Sequence, residues 1–255
     1  MSMKHVISGY KDVKSLIEEI GRTRMSGWKF LFRGHASTRF KLLSMIGRKQ
    51  PISGNRLTSE YLCFQDYLKL VRDEAWLDFK LKKDNEDLFL MSIGRHLGLD
   101  CRLLDWTAAL DTALYFATSD VRFINEDAHL WIMAYNGSVN SLNAQINPFD
   151  VKELILIKED YYIPDDKLIE DQPLGILRRF RQNGFFTITP SDLLTTPLDK
   201  LARENICFTP IEIKASAKNE IAEEIVKNDD WLCLSKHFKI ENDIKAINSK
   251  YFLQT

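Results

Sequence analysis

Between Arg95 and Thr107 the sequence crowds together two arginines, a histidine, two aspartates, a cysteine and a tryptophan among leucines and glycine. A guanidinium fork such as that of Arg102 grips phosphate or carboxylate oxygens bidentately. His96 brings an imidazole to the run, and Asp105 a carboxylate expected to orient Arg102 or to cap backbone donors of the helix starting near Thr107. Two further runs are rich in the same chemistry. Arg33 precedes Gly34 at the end of an apolar stretch, and Arg178, Arg179 and Arg181 stand just ahead of Gln182 and Gly184. If these runs converge, the pocket is cationic, with one titratable imidazole and few acids. Such a pocket suits phosphate, pyrophosphate or a nucleotide, and not an aspartate-rich magnesium site. Trp106 could stack a base or simply fill the core. The bland alternatives stay open: Arg102 and Asp105 as a structural ion pair, His96 favoured by a helix C-terminus, and the other arginines as solvated surface.

The elements that must position these groups can be read from periodicity. Apolar residues around Leu88 and Met91 predict a helix ending near Leu97 with Gly98 as its stop. Leu110, Ala113, Leu114 and Ala117 predict a second helix, with Thr107 as its cap. The polar groups are therefore expected on a helix–loop–helix turn. Trp28–Arg33 has strand composition, so Arg33 projects from a strand end where Gly34 lets the backbone turn or a ligand come close. Val13, Leu16, Ile17 and Ile20 predict a covering helix. Tyr61, Phe64, Leu68, Val71 and Ala75 predict an amphipathic one capped by Thr58, with Glu60 in its dipole-favoured first turn. Strands are expected over 128–135, 154–157, 184–189 and 206–213, the last at an edge or bulge because of Pro210. Short helices close the chain.

Together, Phe32-Arg33-Gly34 and the run His96, Gly98, Arg102, Leu103, Leu104, Asp105, Trp106, Thr107, with Ala113, Leu114, Phe116 and Ala117 after it, resemble the FRG domain family. Arg95 stands where that family usually has Gln, and Cys101 where it usually has Thr. The Arg178/Arg179–Gln182–Gly184–Phe186 run aligns less fully with a later family pattern. The resemblance places an acid at the start of the helix that carries Glu60, which makes Glu60 a partner for a site arginine. It implies Arg33, Gly34, Arg102, Trp106, Arg178, Arg179 and Gln182 as ligand-binding residues, and His96, Asp105 and Glu60 as the groups for any catalysis. An early strand-end arginine followed by Gly is also similar to the NAD-holding arginine of ADP-ribosyltransferases, which admits NAD as a cofactor. The late glutamate of those enzymes has no counterpart at Gln182-Asn183-Gly184.

The chain of 255 residues is 45% hydrophobic with a formal net charge of −1, so it can bury a core and carries no uniform basic coat for nucleic acid. A local basic cleft for a nucleic-acid end stays open. No apolar run of about 18 residues predicts a membrane span, and no signal pattern opens the sequence. Cys63, Cys101, Cys207 and Cys233 are scattered without a Cys-x-x-Cys pair, which points to free thiols in a reducing cytoplasm and to no metal site. Glycine-rich phosphate loops, nucleophile elbows and zinc-protease motifs are absent from the sequence. The expected architecture is one α+β domain over residues 1–255, with a central, mainly antiparallel sheet and flanking helices; its motif core spans about 26–215, and the C-terminal helices of 216–255 pack on it. Three functions remain open: a nucleotide-using transferase, a nucleotide or nucleic-acid binding module, and a protein-interaction domain.

Overall fold

A computed structural model describes residues 6–24, 27–71, 86–141, 145–158, 184–226 and 239–253. In chain order the elements are β1 (Val6–Ile7), α1 (Tyr10–Arg24), β2 (Lys29–His35), α2 (Met45–Arg48), α3 (Arg56–Val71) and α4 (Glu86–His96), then β3 (Leu103–Thr107), α5 (Leu110–Thr118), β4 (Ala128–Tyr135), β5 (Asn140–Ser141), β6 (Ile155–Lys158), β7 (Gly184–Ile188), β8 (Ile206–Ile213), α6 (Lys218–Val226) and α7 (Lys239–Tyr251). The fold is α+β, and its sheet pairing is mainly antiparallel: β2–β3, β2–β4, β4–β8 and β6–β7 run antiparallel, β1–β8 and β5–β6 parallel.

The chain divides into two compact units. The first comprises Met1–Leu42, Trp106–Ser138 and Pro197–Leu234. Its strands lie in the order β1-β8-β4-β2, and Thr107 of β3 pairs with Phe32. Strand alternation sends Phe30 and Phe32 to one face, where they meet Val13, Leu16 and Ile20 of α1, Ala113, Leu114 and Ala117 of α5, and Ile221 and Ile225 of α6. Ile17, expected on the buried face of α1, is 47% exposed. Pro210 sits where the outer side of β8 is unpaired among the described residues, because β1 reaches only Glu212 and Ile213. A proline, which has no N–H to donate, is tolerated there.

The second unit comprises Leu43–Asp105, Val139–Thr196 and Ser235–Thr255. Leu103–Asp105 of β3, then β7, β6 and β5 form its strands in that order. Its core joins Phe64, Tyr67 and Leu68 of α3 to Leu88 and Met91 of α4 and Ile244 and Ile247 of α7. The start of α3 is capped by Asn55, whose Oδ1 accepts from the Thr58 backbone N–H at 2.9 Å, and not by Thr58 itself. Tyr61 points outward, 48% exposed, and Ala75 lies outside the described residues.

Asp66 ties α3 to α7 and makes this packing sensitive to acid. Its carboxylate accepts from Lys69 Nζ at 2.9 Å, Tyr251 Oη at 2.8 Å and Lys250 Nζ at 3.4 Å. Those donors, Lys69 foremost, lower its pKa from 3.8 to about 2. A carboxylate depressed in the folded state stabilises it above the unfolded value and loses that contribution as pH falls through the folded one. Asp66→Asn is therefore expected to be less stable than wild type at neutral pH, with the gap closing between about pH 4 and about pH 2. Urea midpoints of both proteins across that range check it; a pH-independent gap would count against the ion pair.

Candidate functional site

In the first unit the chemistry sits on the sheet face opposite α5. Alternation along β2 puts Leu31, Arg33 and His35 on that face. Arg33 is half-buried, and its Nε donates to His35 Nε2 at 3.1 Å. With Nε2 accepting, the His35 proton is on Nδ1, which donates to the Phe40 carbonyl at 3.2 Å. A chain of two hydrogen bonds, anchored on backbone, thus sets the direction of the guanidinium. Across the ladder Arg33 is in register with Trp131, and His35 with His129. The Trp131 ring packs edge-to-face on both histidines, 6.5 Å from His35 and 5.6 Å from His129. Burial lowers the His129 pKa while Glu212, its register partner on β8, opposes that shift. Trp106 is buried, its ring 5.8 Å from that of Phe208, so it takes part in packing.

Gly34 faces the other way. A Cβ built there would lie 2.0 Å from the Ala113 carbonyl oxygen and 2.6 Å from the Ala117 nitrogen. The close approach that this glycine permits is that of the α5 backbone.

In the second unit the polar run from Arg95 to Asp105 is held from several sides. Gly98 has φ +99°, a left-handed conformation that suits glycine. It closes α4 through Gly98 N–H to Arg95 O at 3.2 Å and Leu99 N–H to Gly94 O at 2.7 Å. Asn248 of α7 then clamps the following loop, donating to Gly98 O at 2.8 Å and accepting from Asp100 N–H at 3.0 Å. Lys49 holds the buried Asp100 carboxylate at 2.7 Å. Arg102 and Glu60 form an ion pair whose side chains are both 0% exposed. The Glu60 carboxylate accepts from the Arg102 backbone N–H at 2.8 Å, from Nε at 2.9 Å and from Nη2 at 2.6 Å. Arg102 Nη1 donates to Ser191 Oγ at 2.9 Å, and that hydroxyl donates to the Phe149 carbonyl at 3.1 Å. Burial pushes the Glu60 carboxyl up, while the Arg102 charge and hydrogen bonds pull it back without cancelling the rise.

Several expectations change in consequence. Leu103–Thr107 is a strand, not a loop between helices, because its alternating side chains are buried on both faces. Thr107 ends that strand, and its Oγ1 accepts from Ala109 N–H at 3.0 Å; the residue preceding α5 is Ala109. Glu60 lies beyond the first turn of α3 and serves an arginine, not the helix dipole. Asp105 does not orient Arg102: its Oδ2 accepts from Arg95 Nη2 at 2.7 Å and Nε at 3.1 Å. His96 is half-buried at the end of α4, its ring 5.6 Å from Phe186.

Among the site residues read from sequence, Glu60 and Arg102 come together, Asp105 meets Arg95, and Arg33 and Trp106 belong to the first unit. Arg178, Arg179 and Gln182 lie outside the described residues. His35 and Trp131 were not singled out. His35 could have been found, since it follows Arg33 by two residues on a strand and so shares its face. Nothing in the sequence announces that Trp131 would stand opposite Arg33. Burial raises the Cys63 thiol to about 12 and pushes the Cys101 thiol up as well, which keeps both protonated. Cys207 is exposed, and Cys233 lies outside the described residues. Among the described residues no group of three His, Cys, Asp or Glu side chains is placed to hold a metal ion, and no helix is long and apolar enough to cross a membrane.

Residues 28–125 match the family model described as FRG domain. The match takes in Phe32-Arg33-Gly34, the His96–Thr107 run and α5, and it ends ahead of Arg178. Neither the curated proteins nor the solved structures yield a match.

Proposed function

We propose that the FRG domain this chain carries binds a nucleotide or another phosphate-bearing ligand, with Arg33 as the residue that takes the phosphate. The observation that carries this reading is the Arg33–His35–Phe40 relay. A half-buried guanidinium fixed through its Nε on a rigid strand is pre-organised, so little entropy is lost when it meets an anion. A solvated surface arginine would have no such support.

In this reading Arg102 and Glu60 are scaffold. They lock α3 to the start of β3, and neither side chain reaches solvent. The acids nominated for catalysis, Glu60 and Asp105, are engaged by Arg102 and Arg95. That engagement favours binding without turnover over an NAD-consuming transferase; NAD and a nucleic-acid end remain ligands that this chemistry would accept. His96 is the nominated group whose ring is half-buried beside Phe186.

Calorimetric titration with ADP and NAD tests the reading. Arg33→Lys keeps the charge but loses both the fork and the Nε donor to His35. It is expected to retain the fold and to lose about tenfold or more in affinity, the range for a hydrogen bond to a charged group. Arg33→Ala should lose more, and binding to wild type should weaken as salt rises. Equal affinity of all three proteins would remove Arg33 from the site. Release of nicotinamide from NAD by wild type would restore the transferase reading.

A further inference from the structure

Trp131 and His129 each carry a buried ring nitrogen, Nε1 and Nδ1 respectively, with no hydrogen-bond partner among the described residues. Buried indole N–H groups ordinarily find an acceptor, and one left unmatched costs free energy. Trp131 is 7% exposed and stands in register with Arg33 on the same sheet face. Directly opposite side chains on neighbouring antiparallel strands have Cβ atoms about 5 Å apart. Its ring cannot easily turn away, because His35 and His129 pack against it edge-on at 6.5 and 5.6 Å. The same His35 sets the direction of Arg33, so one imidazole positions both side chains.

From this arrangement we infer that Trp131 is a second ligand-binding residue: its indole N–H donates to an anionic oxygen of the phosphate group that Arg33 holds. The inference rests on the Arg33 reading above and extends it. An indole nitrogen only donates, so its partner is an acceptor and not a cation. Beside a guanidinium, the acceptor best matched to the local charge is a phosphate oxygen. His129 adds a nitrogen whose role, donor or acceptor, follows its tautomer. A tryptophan kept only for packing would contribute nothing to an anion's affinity, and its unmatched N–H would be a pure cost to the fold.

Trp131→Phe separates these two roles, since it keeps an aromatic ring and deletes the donor. Titrate wild type, Trp131→Phe and Arg33→Lys with inorganic pyrophosphate and with ADP, and record melting temperatures without ligand. The expected result is an affinity loss of about tenfold in Trp131→Phe for both probes, with the melting temperature lowered only by the packing that the smaller ring loses. The unaltered chain gives an independent reading, in which the Trp131 indole N–H proton resonance shifts when pyrophosphate is added. Wild-type affinity in Trp131→Phe, together with an unmoved indole resonance, would overturn the inference and leave the Arg33 reading standing. A wild-type protein that takes up neither probe would overturn both. A loss for ADP with no loss for pyrophosphate would also overturn it, since the acceptor would then not be on the phosphate.

Discussion

Replacing Glu60 with Leu is expected to destabilise the protein by about 3–5 kcal/mol, the usual consequence of removing one partner from a buried ion pair. Both side chains are 0% exposed. The Arg102 guanidinium left behind cannot shed its proton and would keep only Ser191 Oγ as a partner among the contacts described above. The opposite replacement, Arg102→Met, should cost less and depend on pH, because a carboxyl can become neutral. Burial already pushes Glu60 up, and without Arg102 the folded state would bind a proton that the unfolded state releases. A folded-state pKa above the unfolded one means stability falls as pH rises, so Arg102→Met should be more stable at about pH 5 than at about pH 8. The double variant, with the polar pair replaced by apolar groups, should recover most of the loss. Urea denaturation of the three proteins measures all of this. A Glu60→Leu midpoint equal to wild type would show that the pair is dispensable.

Gly34→Ala should also be severe, for a steric reason unconnected with ligand. The added Cβ would fall 2.0 Å from the Ala113 carbonyl oxygen and 2.6 Å from the Ala117 nitrogen. Both are backbone atoms of α5, so no side-chain rotation relieves the clash, and α5 must move off the sheet. Overpacking of cores typically costs about 1–3 kcal/mol and sometimes more; two backbone contacts this short put Gly34→Ala at the top of that range or beyond it. Expression, urea midpoint and near-ultraviolet circular dichroism would register the loss. A variant that folds like wild type would mean that α5 has another seat. The same geometry couples Phe32-Arg33-Gly34 to the alanines of α5 in this chain. Ala113 and Ala117 are small for the reason that Gly34 is: a helix backbone lies directly on a strand.

Much of this was readable from local pattern. Periodicity in Val13, Leu16 and Ile20 marks a buried helical face whatever the partner, because the 3.6-residue repeat is a property of the chain itself. Gly98 as the stop of α4 was legible because only the left-handed region closes that helix and glycine enters it without penalty. Alternation in β2 placed Arg33 on one face and Phe32 on the other before any partner was known. What the chain could not announce was pairing. Leu103–Thr107 reads as a loop because its charged Asp105 interrupts a short apolar run; it becomes a strand because neighbouring strands bury it. Asp105 is near Arg102 in sequence yet binds Arg95, and Arg102 takes Glu60 from a helix 42 residues away. Charge attraction reaches equally to any opposite charge that folding brings within a few ångströms, so sequence proximity carries little information about which ion pairs form. Trp131 shows the same limit. Its strand was plain, but only the register of β2 against β4 sets it opposite Arg33, and a slip of one residue would have turned it to the opposite face.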